Sequence, residues 1–304
     1  MVRYDRAPSD KLLALLQAPL APLLHPWVVA DLSLDLQFRE KDTVQLYCGL
    51  TSLLVANPTS DGFKVTAHKT YTQQACAKRL MRHWLRDEPG FADALAQYLG
   101  EVDVPTPHTR REGAVQAAWM SVCRPWIPID REGVLGYAST DDRNAALDSP
   151  VVRAAWEGAR DLCARQKWAT MKPLGTSNEV DQIAVAPDGS LVLVELKFGG
   201  ASDVYQAPIQ ALRYVWEWHG ALEAILEGLE EVSRARSRLG LSPKDIPEIK
   251  PRMRWALAVG QTKSSSKVLS RLATIRDIAN GHRPPGVPEL ELWGLDEDGS
   301  PQEL

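Results

Sequence analysis

Leu191-Val192-Leu193-Val194-Glu195-Leu196-Lys197 is the stretch whose reading decides the fold. Aliphatic and β-branched side chains run through it without a polar beat until Glu195, the pattern of a strand buried on both faces. A strand sends residues i and i+2 to the same side, so Glu195 and Lys197 stand next to each other against the core. Burying a carboxylate and an ammonium is costly unless something offsets it, and a bound cation and a phosphate would do so. Upstream, Asn178-Glu179-Val180-Asp181-Gln182-Ile183-Ala184-Val185 reads as a second strand, joined through Ala186-Pro187-Asp188-Gly189-Ser190. A two-residue loop at Asp188-Gly189 would set Asp181 against Leu196, facing away from Glu195. With Pro187-Asp188-Gly189 as the loop, Ala186 faces Ser190, Ile183 faces Leu193 and Asp181 faces Glu195. Turn chemistry favours the second register: Pro presets φ, Asp suits the next position, and Gly takes the left-handed one.

Asp181, thirteen further residues, then Glu195-x-Lys197 resembles the PD-(D/E)xK nuclease superfamily. Downstream, Gln210-Ala211-Leu212-Arg213-Tyr214 is similar to the QxxxY element of its RecB-type branch. The likeness covers residues 148–295, and Val180 stands where that superfamily often has a proline. The resemblance implies an α/β fold: a restriction-endonuclease-like mixed sheet flanked by helices, preceded by an N-terminal α+β domain. It also implies metal-dependent hydrolysis of phosphodiester bonds, in DNA, in a defence or repair role.

In that family, Asp181, Glu195 and the backbone carbonyl of Leu196 would hold Mg²⁺ (or Mn²⁺), hard cations that take oxygen ligands. Lys197 would orient or activate the attacking water and offset phosphate charge. Gln210 would help place substrate or water, with Tyr214 packed beside it; both lie on one helix face. Glu157, on the preceding helix, occupies the place of a further metal-site acid. Glu179 shares a strand face with Asp181 and is its rival, and Asp161 lies one turn past Glu157. Tyr205 and Gln206 are neighbouring alternatives to the Gln–Tyr pair. The bland readings are a buried Glu–Lys ion pair closing a hairpin, a solvent-facing Glu157 and a core-facing Tyr214. A catalytically silent nuclease-fold module that binds nucleic acid or a protein partner is the alternative function, and an unrelated α/β protein with a chance motif a further one.

At 304 residues, 44% hydrophobic and 24% charged, the composition is that of a globular chain with enough length for one large or two ordinary domains. The four cysteines form no CxxC pair, so they read as reduced core thiols and offer no iron–sulfur or zinc site. No apolar run reaches the ~18 residues of a membrane span. The apolar stretch 11–30 is broken by Pro19, Pro22 and His25, so the expectation is a cytoplasmic protein. A net charge of −4 argues against indiscriminate nucleic-acid binding. From Glu230 to Arg283, however, twelve Lys/Arg stand against five Asp/Glu, and Arg252, Arg254, Lys263 and Lys267 are candidate phosphate contacts there. A protein partner or homo-oligomer is compatible with all of this.

Two domains are expected, 1–145 and 146–304. The first holds a short helix capped by Ser9, a three-strand meander from Trp27 to Ala67, a helix capped by Thr72, and a helix over 110–122. Trp126 to Tyr137 reads as a hairpin around Glu132-Gly133, and 139–148 as the interdomain connection. No phosphate-binding glycine loop or nucleophile elbow occurs in the first 140 residues. The second domain reads as a helix from Ser149-Pro150, the two strands, a helix from about Pro208 bending at Gly220, a strand over 252–259, a helix over 267–280 and a strand over 289–295. Residues 168–173 are a candidate further strand.

Overall fold

A computed structural model describes residues 2–17, 34–40, 42–60, 62–82, 90–105, 112–121, 124–175, 178–199, 203–260, 266–295 and 301–304. The protein is mixed α/β and divides into two compact units. One comprises residues 1–4, 122–227 and 247–304; the other comprises 5–121 and 228–246.

The first unit is built on a six-stranded mixed sheet of β6 (Ile127–Gly133), β8 (Val180–Val185), β9 (Ser190–Phe198), β10 (Lys250–Gly260), β11 (Glu291–Leu295) and β12 (Pro301–Glu303). The order across it is β12-β11-β10-β9-β8-β6. β9, β10 and β11 are mutually parallel, while β8, β6 and β12 run antiparallel to their neighbours. Residues 190–196 of β9 and 255–260 of β10 are buried without alternation, as central strands covered on both faces require. The parallel steps need long crossovers. They are supplied by α7 (Ala207–Arg238) between β9 and β10, and α8 (Ser266–Gly281) between β10 and β11. α6 (Pro150–Arg165) starts where Ser149 accepts the Val152 amide and buries Val152, Ala155, Ala159 and Cys163. α7 runs as one helix through Gly220, and residues 228–238 of it belong to the second unit.

Several expectations are corrected in this unit. Residues 127–133 and 136–137 do form strands, but they do not pair with each other. β6 pairs with β8, and β7 (Gly136–Tyr137) pairs with β1 (Val2–Arg3). Gly133 permits the first pairing, because a Cβ there would lie 2.2 Å from Ile183 Cδ1. The 145/146 domain boundary therefore does not separate the units: residues 122–145 lie with the large sheet, and 228–246 with the other unit. The stretch read as a connection is α5 (Thr140–Leu147), capped by Ser139, whose side chain accepts from the Asp142 amide. Residues 168–173 form no strand, and β12 had no counterpart in the sequence reading.

The second unit holds an antiparallel meander of four strands, one more than expected: β2 (Leu34–Arg39), β3 (Thr43–Cys48), β4 (Thr51–Thr59) and β5 (Gly62–Ala67). β3 and β4 are separate strands because Gly49 takes a left-handed φ of 55° and turns the chain between Cys48 and Thr51. α1 (Asp10–Leu15) is capped by Ser9 as expected. α2 (Ala75–Leu80) begins after Gln74, and Thr72 instead bonds back to the Lys69 carbonyl. α3 (Phe91–Glu101) and α4 (Glu112–Ser121) complete the unit. Arg236, from the last turns of α7, is buried there: it donates to the Leu36 carbonyl at 2.8 Å and pairs with Asp35 at 3.6 Å. The early part of the expected meander, 27–33, lies outside the described residues.

The β8–β9 turn offers a direct check of this architecture. Gly189 has φ +86°, and a Cβ there would meet the Glu248 carbonyl oxygen at 2.5 Å. Gly189→Ala is expected to destabilise by about 2 kcal/mol, through a left-handed backbone and a backbone clash together. Gly158→Ala, mid-helix with nothing within 4 Å, should instead gain roughly 0.5–1 kcal/mol. Urea unfolding of both variants measures the contrast.

Candidate metal and active site

The site begins with a turn. The Gly189 amide donates to the Ala186 carbonyl at 2.9 Å, and the Ala186 amide to the Ser190 carbonyl at 2.9 Å. Asp188 closes the loop by accepting from the Ser190 amide at 2.9 Å and its hydroxyl at 3.0 Å. Pro187-Asp188-Gly189 is thus the three-residue loop that turn chemistry favours, and Ile183 pairs with Leu193 as expected. Ladder pairs alternate in type. Counting from the bonded 186/190 pair, 182/194 is bonded and 181/195 is the non-bonded kind. In that kind the strands approach most closely and facing side chains are nearest.

Asp181 therefore stands across from Glu195. Its carboxylate accepts the Leu196 amide at 2.7 Å. Continued alternation would send that amide to the Val180 carbonyl, but the ladder pairing ends at Gln182/Val194. The side chain takes over from the ladder where the two strands reach the acids.

Glu195 is 1% exposed. Lys197, on the same face, pairs with its Oε1 as an ion pair. Apart from this ion pair, neither carboxylate oxygen has a hydrogen-bond donor among the described residues. Burial first, and then the Asp181 charge, push the Glu195 pKa well above its usual 4.5, with Lys197 opposing. A buried carboxylate met by a single ion pair, facing a second carboxylate, is a poor structural element but a fitting pair of oxygen ligands for a hard cation.

α7 supplies the other wall. Gln210 donates to the Tyr214 hydroxyl at 3.0 Å. Burial, followed by the negative charge of Glu195, raises the Tyr214 pKa to about 12; Asp181 adds to this. The phenol thus stays protonated beside the acids. Five of the expected residues converge: Asp181, Glu195, Lys197, Gln210 and Tyr214.

Others do not. Glu157 is exposed, since the buried face of α6 at Ala155 and Ala159 turns it outward. Glu179 is exposed, and Asp161 pairs with Arg160 at 3.0 Å. Among the described residues no third acid, His or Cys joins the pair to form a metal-holding group. Arg254 pairs with Glu291 at 2.6 Å, and Arg252 donates to the Asp188 carbonyl at 3.1 Å. Arg254 faces Val192, three residues before the level of Glu195, about 10 Å along the strand. Both arginines line a cavity of about 710 Å³ with Trp293 and Pro288 at that end of the sheet. Lys267 is exposed in the first turn of α8, and Lys263 lies outside the described residues.

The sequence reading missed the supports. Asn178, three residues before Asp181, donates to buried Glu217 of α7 at 3.2 Å and accepts from Arg143 at 3.2 Å. Tyr137 donates to the same Glu217 oxygen at 2.6 Å. This network anchors the entry to β8. Gln206 and Tyr205, the alternatives to the Gln–Tyr pair, instead bond to the backbone of 169–172. An Asn directly before a strand was the one available signal.

Comparison with protein-family models, with curated proteins and with solved structures finds no match for this chain. Among the described residues no helix is long and apolar enough to cross a membrane, and Cys48, Cys76 and Cys163 are buried thiols outside any disulfide.

The raised Glu195 pKa has a definite sign. The folded protein holds this proton more tightly than the unfolded chain does, so metal-free stability falls as pH climbs from about 4.5 through the folded pKa. Glu195→Gln in EDTA at pH 8 is expected to raise Tm by about 2–6 °C, equivalent to ~1–2 kcal/mol. The variant should also lack any Mn²⁺-dependent rise shown by the parent, whose Mn²⁺ affinity should grow with pH. A lower Tm for the variant would return Glu195 to the role of an ion-pair partner for Lys197.

Proposed function

We propose that the chain is a metal-dependent nuclease of the PD-(D/E)xK type, with a restriction-endonuclease-like fold in the larger unit, acting on DNA. The observation that carries this reading is Asp181 facing Glu195 on adjacent strands, with Glu195 buried and Lys197 ion-paired to it.

Asp181, Glu195 and the Leu196 carbonyl would hold Mg²⁺ or Mn²⁺. Two carboxylates suffice for Mg²⁺, which keeps several of its waters. When bound, the ion supplies Lewis-acid polarisation of a phosphoryl oxygen and a lowered water pKa. The chain's own residues do the rest. Lys197 holds the attacking water by its ammonium and neutralises charge gathering on the phosphoryl oxygens. Gln210 orients the Tyr214 phenol by donating to its oxygen, while burial and the neighbouring acids keep the phenol protonated, which leaves the Tyr–Gln pair to hold substrate against the acid pair. Asp181, by taking the Leu196 amide, keeps its carboxylate turned towards Glu195. The second unit would recognise substrate or a partner, and the reaction would take place in the cytoplasm in defence or repair.

Purified protein should cut plasmid or linear duplex DNA with Mg²⁺ or Mn²⁺ and not with EDTA. Asp181→Ala and Glu195→Ala should remove cleavage and ion binding together, a loss of at least ~100-fold. Lys197→Ala should remove cleavage and spare much of the ion binding. Calorimetry with unaltered Mg²⁺ binding in both acid variants would end the ligand assignment. Binding of DNA without cleavage in any divalent ion would favour a catalytically silent module.

A further inference from the structure

Residues 168–175 cross the surface between α6 and β8 without forming a helix or a strand. Side chains nevertheless hold them at many points. Trp168 packs edge-on against Tyr205 with centroids 5.7 Å apart, and the Arg271 guanidinium lies 5.0 Å from the Trp168 ring and 5.6 Å from that of Tyr205. The Tyr205 hydroxyl donates to the Ala169 carbonyl at 3.2 Å. Gln206 uses both ends of its amide, donating to the Thr170 carbonyl at 3.2 Å and accepting the Lys172 amide at 2.9 Å. Trp156 donates to the Lys172 carbonyl at 2.8 Å, and Arg213 to the Gly175 carbonyl. This is a strap fastened by side chains in place of a ladder.

Its position matters. Gln206, Gln210 and Tyr214 are spaced by four along one helical stripe, so the strap meets one end of the stripe and the acid pair the other. Eight residues of helix are about 12 Å, a length that spans roughly three phosphates of one duplex strand. Just ahead of this stripe in the chain is Asp203, whose carboxylate pairs with Lys172 Nζ at 2.5 Å. The Lys172 ammonium, and more weakly the charge of Lys197, hold the Asp203 carboxyl below the ordinary range. Asp203 thus feels both the lysine of the strap and the lysine of the site.

Lys172 is the single charged residue of 168–175, and its side chain is 77% exposed. The bland reading is a solvated surface ion pair, worth little to stability. It does not explain why both backbone polar groups of this residue are held by side chains from two different elements.

We infer that Lys172 grips a non-scissile phosphate of the nucleic-acid strand, with the strap 168–175 as one wall of the substrate channel. This rests on the nuclease reading, which supplies the strand. In the absence of nucleic acid Asp203 keeps the ammonium in place, and the substrate phosphate takes its place as partner.

The test is steady-state cleavage of a labelled oligonucleotide by the full chain in Mg²⁺ or Mn²⁺ over a series of salt concentrations. Lys172→Ala should raise KM about 5- to 10-fold, the loss of one charge-assisted contact, with the effect on KM and not on kcat. The dependence of log KM on log salt should become shallower by about 0.9 for a duplex or about 0.7 for a single strand. Lys172→Arg should restore most of both. Neutral methylphosphonate placed at one backbone position at a time should weaken the parent at a site within about three nucleotides of the cut, and leave Lys172→Ala indifferent there. Asp203→Asn removes the same ion pair but keeps the lysine charge, and should not flatten the salt dependence. An unaltered KM and salt dependence in Lys172→Ala, or a fall in kcat alone, would overturn the inference while leaving the nuclease standing. Failure of the parent to bind or cut any nucleic acid would overturn both.

Discussion

The Gly189 amide reaching the Ala186 carbonyl at 2.9 Å sets the register on which the larger unit depends. With three residues in the loop, every pair of β8 and β9 has its parity fixed, from Ala186/Ser190 through Ile183/Leu193 to Asp181/Glu195. A slip of one residue would send each side chain of a strand to the opposite face. That slip would separate the two acids, and it would also reorder a strand packed on both sides. The Lys250 amide bonding to the Gly189 carbonyl at 2.9 Å carries the constraint to β10. Core and candidate site thus select the same register.

That arrangement places an unfavourable group where it can be tolerated. Glu195 sits among Leu191, Val192, Leu193, Val194 and Leu196, all buried, on a strand with paired neighbours on each side. The apolar sheet keeps water from the carboxylate, and the same exclusion strengthens any charge interaction inside. Local rules are broken at Glu195 and obeyed around it, the pattern expected of functional positions. Glu217 follows another logic, since its buried carboxylate is met by Tyr137 and Asn178 and serves to join α7 to the start of β8.

What could be read from sequence followed local chemistry. The turn, the two strands, α6 behind Ser149-Pro150, and the Gln210–Tyr214 spacing all declare themselves within ten or so residues. Pairing over longer distances does not. β6 and β7 are separated by two residues and resemble a hairpin, yet their partners are β8 and β1, a choice settled by the glycine that lets β6 approach Ile183. Glu157 had a suitable place in the chain, but the helix phase set by Ala155 and Ala159 turned it outward. Arg252 and Arg254 looked like free cations in a basic stretch, whereas Glu291 and the Asp188 carbonyl engage them from elsewhere in the chain. The strap 168–175 had no periodic signal, because side chains hold it instead of a repeating backbone pattern.

Charge balance ties the strap to the acids on the nuclease reading. Asp181, Glu195 and Asp203 contribute three negative charges when ionised, and Lys172 and Lys197 two positive ones, a net of −1. Such a site repels a phosphodiester and favours a proton on Glu195, in keeping with its raised pKa. A divalent cation held by the two acids would bring the sum to +1 with Glu195 ionised, and the surroundings would then complement one phosphodiester charge. Lys197 alone could not achieve this against three carboxylates, because Glu195 and Asp203 already draw on it from two sides. On the same reading, a strand that draws Lys172 from Asp203 leaves that aspartate to Lys197, so the positive charge facing the reacting phosphate would come from the metal ion.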